Sequence, residues 1–216
     1  MSTPASRSGL RPMPFGSLVS KVPSDHYRFD LVEKVELANG HAVTVRPILP
    51  LDAAKFQGFV KRLSPASRNF RFLSGLRELS EDVLERLTRI DYRTHMALVA
   101  EIVRDGSAIL IAEARYVVDT DSKSAELAVA VADDWHGLGL AKSLLCRLHD
   151  IATVAGVRRL TGETLMSNQR ILELARKSGY SIRCHPASAC LARLEKTLVA
   201  TEHQTTSQGA DRLRVN

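Results

Sequence analysis

The feature that most constrains the fold is an apolar segment joined through a short glycine loop to a long amphipathic segment. Residues 125–132 read AELAVAVA, which predicts a strand with little polar surface. After the loop, apolar residues recur at helical spacing between Gly139 and Ala155, at Leu144, Leu145, Leu148 and Ile151. A buried strand that turns directly into a helix is typical of folds in which helices pack on a sheet.

The flanking sequence extends this arrangement. Further apolar runs predict strands at Val43–Arg46, His95–Val103, Ala108–Val118, Arg158–Thr164, Ser181–Cys184 and Ala189–Leu194. Helical spacing and capping residues predict additional helices at Asp52–Leu63, from Ser80 onward, and at Asn168–Lys177. This order predicts an α/β (α+β) fold with a mixed, mostly antiparallel central sheet of six to seven strands, flanked by helices.

The length of 216 residues favours a single domain. Residues 1–30 are rich in Ser, Pro and Gly, and residues 199–216 are polar and aperiodic, which predicts a flexible leader and tail around a domain at 31–198. The three cysteines are scattered without ligand spacing, which indicates a reducing compartment and no metal site. No apolar run approaches the roughly 20 residues that a membrane-spanning helix needs, so we expect a cytoplasmic protein without membrane contact.

The net charge of +6 and the isoelectric point near 9.5 fit an ordinary basic soluble enzyme, and they also favour attraction to an anionic ligand. A phosphorylated cofactor, an acidic protein and a nucleic acid all fit that description. Because no dense run of Lys and Arg is present, a nucleic-acid partner is the weakest of the three interpretations.

The loop between the predicted strand and helix has the composition of a phosphate-binding turn. Residues 135–142 read WHGLGLAK, in which Gly137 and Gly139 allow a tight turn that exposes backbone N–H groups. The first amides of the following helix are unpaired and lie at the positive end of its dipole. A Rossmann fingerprint would need Gly where Lys142 stands, and a Walker A loop would need GKS or GKT. A strand–helix turn without a ligand is the simpler alternative.

The wider segment at residues 131–145 resembles the signature of the GNAT superfamily of N-acetyltransferases, which reads Arg/Gln-x-x-Gly-x-Gly/Ala after a strand. Gly139 and Ala141 match its small positions, whereas His136 stands where Arg or Gln is usual. Since the contacts expected there come from backbone amides, this departure is expected to matter little.

Two further segments follow the family's order, Val45–Pro47 near the start and Asn168–Tyr180 near the end, so the resemblance covers about residues 43–197. A narrower resemblance is to the GNAT domain of bacterial protein lysine acetyltransferases. It rests on the segments LSPASR (63–68), FRF (70–72), IDY (90–92), MALVA (96–100) and ELA (126–128). In that group the domain is often fused to a second one. This chain is too short to carry such a partner, so regulation through it is not expected.

The resemblance implies that acetyl-CoA donates an acetyl group directly to a primary amine. Glu126, the one charge in the apolar strand, occupies the spacing of the family's general base. A carboxylate among apolar residues is expected to have a raised pKa, which suits proton removal near neutral pH. An edge residue that points to solvent is the alternative. Ala175 stands where many members carry the Tyr that protonates the leaving thiolate.

The resemblance also implies where the cofactor binds. Backbone groups of Val129, Ala130 and Val131 are expected to pair with the pantetheine arm, and Asn168 to contact the same arm. The pyrophosphate is expected on the loop and first helical turn, at His136, Gly137, Leu138, Gly139, Leu140, Ala141 and Lys142. No metal ion is expected to take part.

The acceptor stays open at this point. The sequence agrees with an enzyme that acts on a protein lysine or on a small amine such as a polyamine or aminoglycoside. It also agrees with a non-catalytic acyl-CoA-binding module. A homodimer is possible in each case. Two roles are open for Arg68 and Arg71: contact with an acidic acceptor, or exposure to solvent. Two roles are likewise open for Asp91, Tyr92 and His95: lining the acceptor side of the active site, or forming a structural turn.

Overall fold

An eight-stranded sheet forms the centre of the computed structural model, which describes residues 27–121 and 123–199. The strands are β1 (Glu33–Glu36), β2 (Ala42–Pro47), β3 (His95–Arg104), β4 (Ser107–Val118), β5 (Ser124–Val131), β6 (Arg159–Leu165), β7 (Ser181–His185) and β8 (Ser188–Thr197). Their order is β1-β2-β3-β4-β5-β6-β8-β7, and every neighbouring pair is antiparallel except β5 and β6. The predicted mixed, mostly antiparallel sheet is confirmed.

Five α-helices flank this sheet in the described ranges, at α1 (Ala53–Arg62), α2 (Pro65–Phe72), α3 (Glu81–Thr88), α4 (Leu140–Val154) and α5 (Gln169–Lys177). Residues 110–116 of β4 are buried without a break, so helices cover both faces of the sheet centre. Helices α1 and α4 pack on β4, and α2 packs on β5 and β6. None of these helices is long and apolar enough to cross a membrane.

The structure differs from the sequence prediction in three places. Strand β1 brings the count to eight rather than six to seven; its sequence EKVE has too few apolar residues to give a strand pattern. Helix α2 was not predicted either. The packed region also begins before residue 31, because the Tyr27 hydroxyl donates to the Pro47 carbonyl oxygen at 3.2 Å. Most of the predicted leader and tail lie outside the described residues.

Helix α2 is held against the loop that follows β5. Ser64 is its N-cap, and the Ser64 hydroxyl accepts a hydrogen bond from the Ser67 amide at 3.1 Å. The carboxylate of Asp133 accepts from the Ser64 amide and from both serine hydroxyls at 2.8–2.9 Å. These bonds fix α2 relative to the segment that leads into α4.

A buried ion cluster of Arg71, Glu113 and Arg115 joins α2 to β4. The Arg71 Nε donates to one oxygen of Glu113 at 2.7 Å, and Arg115 donates to the other oxygen from Nε and Nη2 at 2.8 and 2.6 Å. Burial alone would raise the pKa of the Glu113 carboxyl, but the two guanidinium groups more than offset it and the net shift is downward. The cluster therefore consists of an ionised Glu113 carboxylate between two guanidinium groups, which stay protonated in proteins.

His95 adjoins this cluster and makes the stability of the fold depend on pH. Its Nε2 lies 3.1 Å from the Arg115 Nη1, so the neutral imidazole accepts a hydrogen bond there. Burial, and next the charge of Arg115, lower the pKa of His95 to about 3. An unfolded His titrates near 6.5, so the neutral form is favoured by folding.

We expect this stabilisation to be complete above about pH 6.5 and to decline as the pH falls toward the folded pKa, with a slope of up to ~1.4 kcal/mol per pH unit. His95→Gln keeps an acceptor for Arg115 without titrating, so its stability should fall less between pH 6.5 and 4. Thermal unfolding of both proteins across that range measures the difference. His41→Gln, at an exposed position, is the control; a wild-type slope in the His95 variant would contradict the assignment.

Candidate active site

A cleft of about 700 Å³ opens where β5 and β6 separate. The parallel pairing holds only at Ser124–Arg159, Ala125–Leu160 and Glu126–Thr161. Beyond Glu126, β5 stays paired with β4 while β6 stays paired with β8, so the facing edges of β5 and β6 part. Backbone groups on the free edge of β5 therefore face an open space instead of a neighbouring strand.

Most of the predicted site residues line this cleft. They are Val129, Ala130, Val131, His136, Gly137, Gly139, Leu140, Ala141, Lys142 and Asn168. Glu126 lies beside the cleft, at the last paired position of β5. Leu138 does not line the cleft; it is apolar, and its side chain packs against the core.

The glycine loop ends in an uncapped helix N-terminus at one side of the cleft. Gly137 and Gly139 have φ values of +79° and +81°, in the left-handed region that side chains with a Cβ rarely adopt. No side chain caps α4, and its first backbone bond runs from the Ser143 amide to the Gly139 carbonyl. The amides of residues 140–142 thus lack intrahelical partners, and the site is suited to an anion.

His136 braces the loop through both ring nitrogens. Its Nε2 lies 2.9 Å from the carbonyl oxygen of Val131, and its Nδ1 contacts Nη1 of Arg170 on α5. A neutral imidazole that donates from Nε2 and accepts at Nδ1 satisfies both contacts. The Val131 carbonyl is consequently occupied by the protein. Successive residues of a strand direct their backbone groups to opposite edges, and the Ala132 amide bonds to the Ile111 carbonyl oxygen beside β4, so Ala130 also faces β4, opposite Glu113. The predicted free edge is reduced to Val129 and the Val131 amide.

Glu126 is half-buried beside the cleft, at the point where β5 and β6 part. Burial raises the pKa of its carboxyl, and the negative charges of Glu163 and Asp119 raise it further, while Arg71 acts in the opposite direction. The predicted raised pKa therefore has a physical cause in the structure. The side chain is therefore not fully exposed, and its assignment as the base stays a prediction.

The sequence interpretation missed Glu163 on β6. Glu126 pairs with Thr161, and Glu163 lies two residues further, so both carboxylates point to the same face of the sheet. Glu163 lines the cleft and lies 3.1 Å from Nε2 of His185. In the sequence, Thr161 and Glu163 look like the ordinary polar face of a strand, so nothing marks Glu163 as a site residue.

Comparison of the sequence and fold with known proteins identifies the family of this chain. A profile of the Acetyltransferase (GNAT) family matches residues 67–180, more than half of the chain. An acetyltransferase of Pseudomonas aeruginosa is 34% identical over 164 residues, which cover 76% of this chain and 85% of that protein. The chain belongs to the GNAT acetyltransferase family.

Further matches agree with this GNAT assignment and with the narrower resemblance. The GNAT domain of S. lividans PAT superimposes with a TM-score of 0.72 at 28% identity, covering 80% of this chain and 99% of that domain. Acetyltransferase Pat of Mycolicibacterium smegmatis is 28% identical over 146 residues, or 67% of this chain and 43% of that protein. The chain thus spans less than half the length of Pat.

In this GNAT domain Asn168 and Tyr180 have structural partners. The Asn168 side chain caps α5 by accepting from the Ile171 amide at 3.4 Å, and it donates to the Thr164 hydroxyl at 3.1 Å. Tyr180 is buried and its hydroxyl bonds to His149 Nε2 at 2.7 Å. Both side chains also line the cleft. Ala175 lines it too and offers no proton to a leaving thiolate.

Of the remaining polar candidates, Arg71 lines the cleft, whereas Arg68, Asp91, Tyr92 and His95 do not. The Asp91 carboxylate accepts from the amides of Arg93 and His95 and from the Thr94 hydroxyl, which makes it the centre of a turn. Tyr92 donates to the Ile48 carbonyl oxygen at 2.8 Å. These residues form the structural turn that was one of the two interpretations of the sequence.

Proposed function

We propose that this GNAT domain transfers an acetyl group from acetyl-CoA directly to a primary amine, with Glu126 as the general base. The observation that carries the proposal is the separation of β5 from β6. The resulting cleft connects an uncapped helix N-terminus with a half-buried carboxylate. An extended thioester with a pyrophosphate at its far end fits these two chemical environments.

The cofactor would bind through the protein backbone for most of its length. The amides that start α4 would hold the pyrophosphate, and Lys142, Arg170 and Lys177 place positive charge along the same cleft. The free edge of β5 at Val129 and the Val131 amide would pair with the amides of the pantetheine arm. This arrangement would bring the thioester toward Glu126 and the point where the strands part.

Glu126 would make the amine nucleophilic. A primary amine of lysine type is protonated up to a pKa of about 10.4, and only the neutral form can attack the thioester carbon. The carboxylate would take the proton as the C–N bond forms, and the C–S bond would then break to release CoA thiolate. Since Ala175 replaces the usual acid, water would protonate that thiolate, whose pKa is about 8.5 in a free thiol.

The first acceptor to test is a protein lysine, because the segments LSPASR, FRF, IDY, MALVA and ELA resemble the GNAT domain of bacterial protein lysine acetyltransferases. Release of free CoA should be followed with acetyl-CoA, a panel of small amines and lysine-containing proteins. Turnover with a small amine alone would favour a small-molecule acetyltransferase. Thermal protection by acetyl-CoA without turnover in any arm would identify a non-catalytic binding module.

Acetyl-CoA at 100 times its Kd should stabilise the native state by about 2.7 kcal/mol. For a chain of this size that corresponds to a rise in Tm of roughly 5–10 °C. Absence of any rise would contradict the assignment of the cofactor.

Replacing Glu163 by Gln tests the electrostatic setting of the base. The charge of Glu163 raises the pKa of Glu126, so its removal should lower that pKa. The acidic limb of the pH–rate profile should then move to lower pH, because Glu126 is deprotonated sooner as the pH rises. Glu195→Gln on β8 is the control. A limb that moves upward or stays in place would show that Glu163 does not act on the base.

A further inference from the structure

Arg71 has more hydrogen-bonding capacity than the protein uses. Its side chain is 3% exposed, and only its Nε is engaged, in the bond to Glu113. Its Nη2 is buried and has no hydrogen-bond partner anywhere in residues 27–121 and 123–199. The residue lines the cleft together with Ser67 and Phe70 of the same helix. A buried guanidinium with an unused N–H group costs free energy unless a ligand completes it.

The charges around Arg71 point to the kind of ligand. The buried ion cluster contains two guanidinium groups and one carboxylate, so it carries one excess positive charge. Arg115 uses its Nε and Nη2 on Glu113 and its Nη1 on the Leu87 carbonyl, which leaves Arg71 as the member facing the cleft. The charge of Arg71 lowers the pKa of Glu126, yet within the described chain the two make no ion pair inside 4.0 Å.

We propose that Arg71 forms a carboxylate subsite at the reacting end of the cleft, and that a carboxylate group of one of the two reactants binds there. The inference rests on the proposed function, since it concerns the ligands of the same cleft. A carboxylate matches the planar, doubly donating face of a guanidinium and offsets the excess charge. The phosphates of the donor would bind at the opposite side of the cleft, at the amides that start α4.

Two reactants could bring that carboxylate. It could be the far end of a dicarboxylic acyl group on CoA, or it could belong to an amine acceptor of the amino-acid type. In the second case the amine would face Glu126 while the carboxylate faces Arg71. Both sources place the same chemical group against the same Nη atoms, so the experiment needs one arm for each.

The acceptor arm uses acetyl-CoA and compares α-amino acids with their carboxamides. The donor arm uses a carboxylate-free amine and compares succinyl-CoA with acetyl-CoA. In one of the two arms, wild-type kcat/KM should favour the carboxylate form by about 10- to 100-fold, the range of a charge-assisted hydrogen bond. Thermal protection by the same ligand pairs is measured alongside and should show the same preference, because binding does not need turnover.

Arg71→Gln should remove this preference, since the amide can still bond to Glu113 but carries no charge. Arg68→Gln is the matched control: Arg68 lies on the same helix, and its Nη1 bonds to the backbone carbonyls of Lys61 and Leu63. The preference should persist in that variant. Near-wild-type Tm in both variants shows that the fold is intact.

A wild-type protein without carboxylate preference in turnover or in thermal protection overturns the subsite, and this comparison does not depend on how any variant folds. If acetyl transfer to neutral amines proceeds in that case, the proposed function stands and only the subsite fails. If no acceptor is acetylated, the proposed function fails, and thermal protection still decides for or against the subsite.

Discussion

Glu126→Gln is expected to lower kcat near neutral pH by about 100- to 10,000-fold, the usual contribution of a general base. Glutamine keeps the size of the side chain at the last paired position of β5 but cannot accept the amine proton. Acetyl-CoA binding should change little, because the proposed cofactor contacts lie on the loop, on Val129 and on the Val131 amide. Initial rates of CoA release, together with thermal protection by acetyl-CoA, separate these two effects.

The pH dependence makes this test sharper. In wild type the rate should rise as Glu126 loses its proton, at a pH above that of an ordinary carboxyl because its pKa is raised. The variant should lack this limb, and its deficit should shrink toward about pH 10, where a growing share of the amine is neutral without help. Glu195→Gln should behave as wild type. Equal rates for Glu126→Gln and wild type at every pH would show that another group removes the proton.

The part of the site that could be predicted from the sequence is the part made by local backbone. The strand at 125–132, the two loop glycines and the helix after them are neighbours in the chain, so their spacing alone indicates a phosphate-binding turn. The family resemblance then supplied Glu126 by its position in the same segment. Boundaries of these elements shifted by a residue or two, as the start of α4 at Leu140 shows.

The part that could not be predicted depends on contacts between distant elements. Arg71 and Glu113 are 42 residues apart in the chain, and their pairing exists only after α2 packs on the sheet. Glu163 approaches Glu126 only because β5 and β6 are parallel neighbours. Helix α2 had an overlooked signal: Ser64 and Pro65 form the cap and first-turn pair that commonly opens a helix.

Gly139→Val is expected to weaken acetyl-CoA binding by about 10- to 100-fold, because it distorts the phosphate-binding turn. At φ of +81° a β-branched residue is strongly disfavoured. The backbone must relax away from that conformation, and the amides of residues 140–142 then no longer converge on one point. A Cβ at Gly139 meets no atom within 4 Å, so the effect arises from backbone strain and not from a clash.

Gly156 provides the matched control for this strain. It has a φ of +84° and equally open space where a Cβ would lie, but it follows the far end of α4, away from the cleft. Gly156→Val should therefore lower stability by a similar amount, ~1–2 kcal/mol or a few degrees in Tm. Calorimetric titration with acetyl-CoA should show near-wild-type affinity for Gly156→Val and the large loss only for Gly139→Val. If the two variants bind acetyl-CoA with equal affinity, the loop does not hold the cofactor. Strain next to the loop would then affect binding no more than strain at the far end of α4.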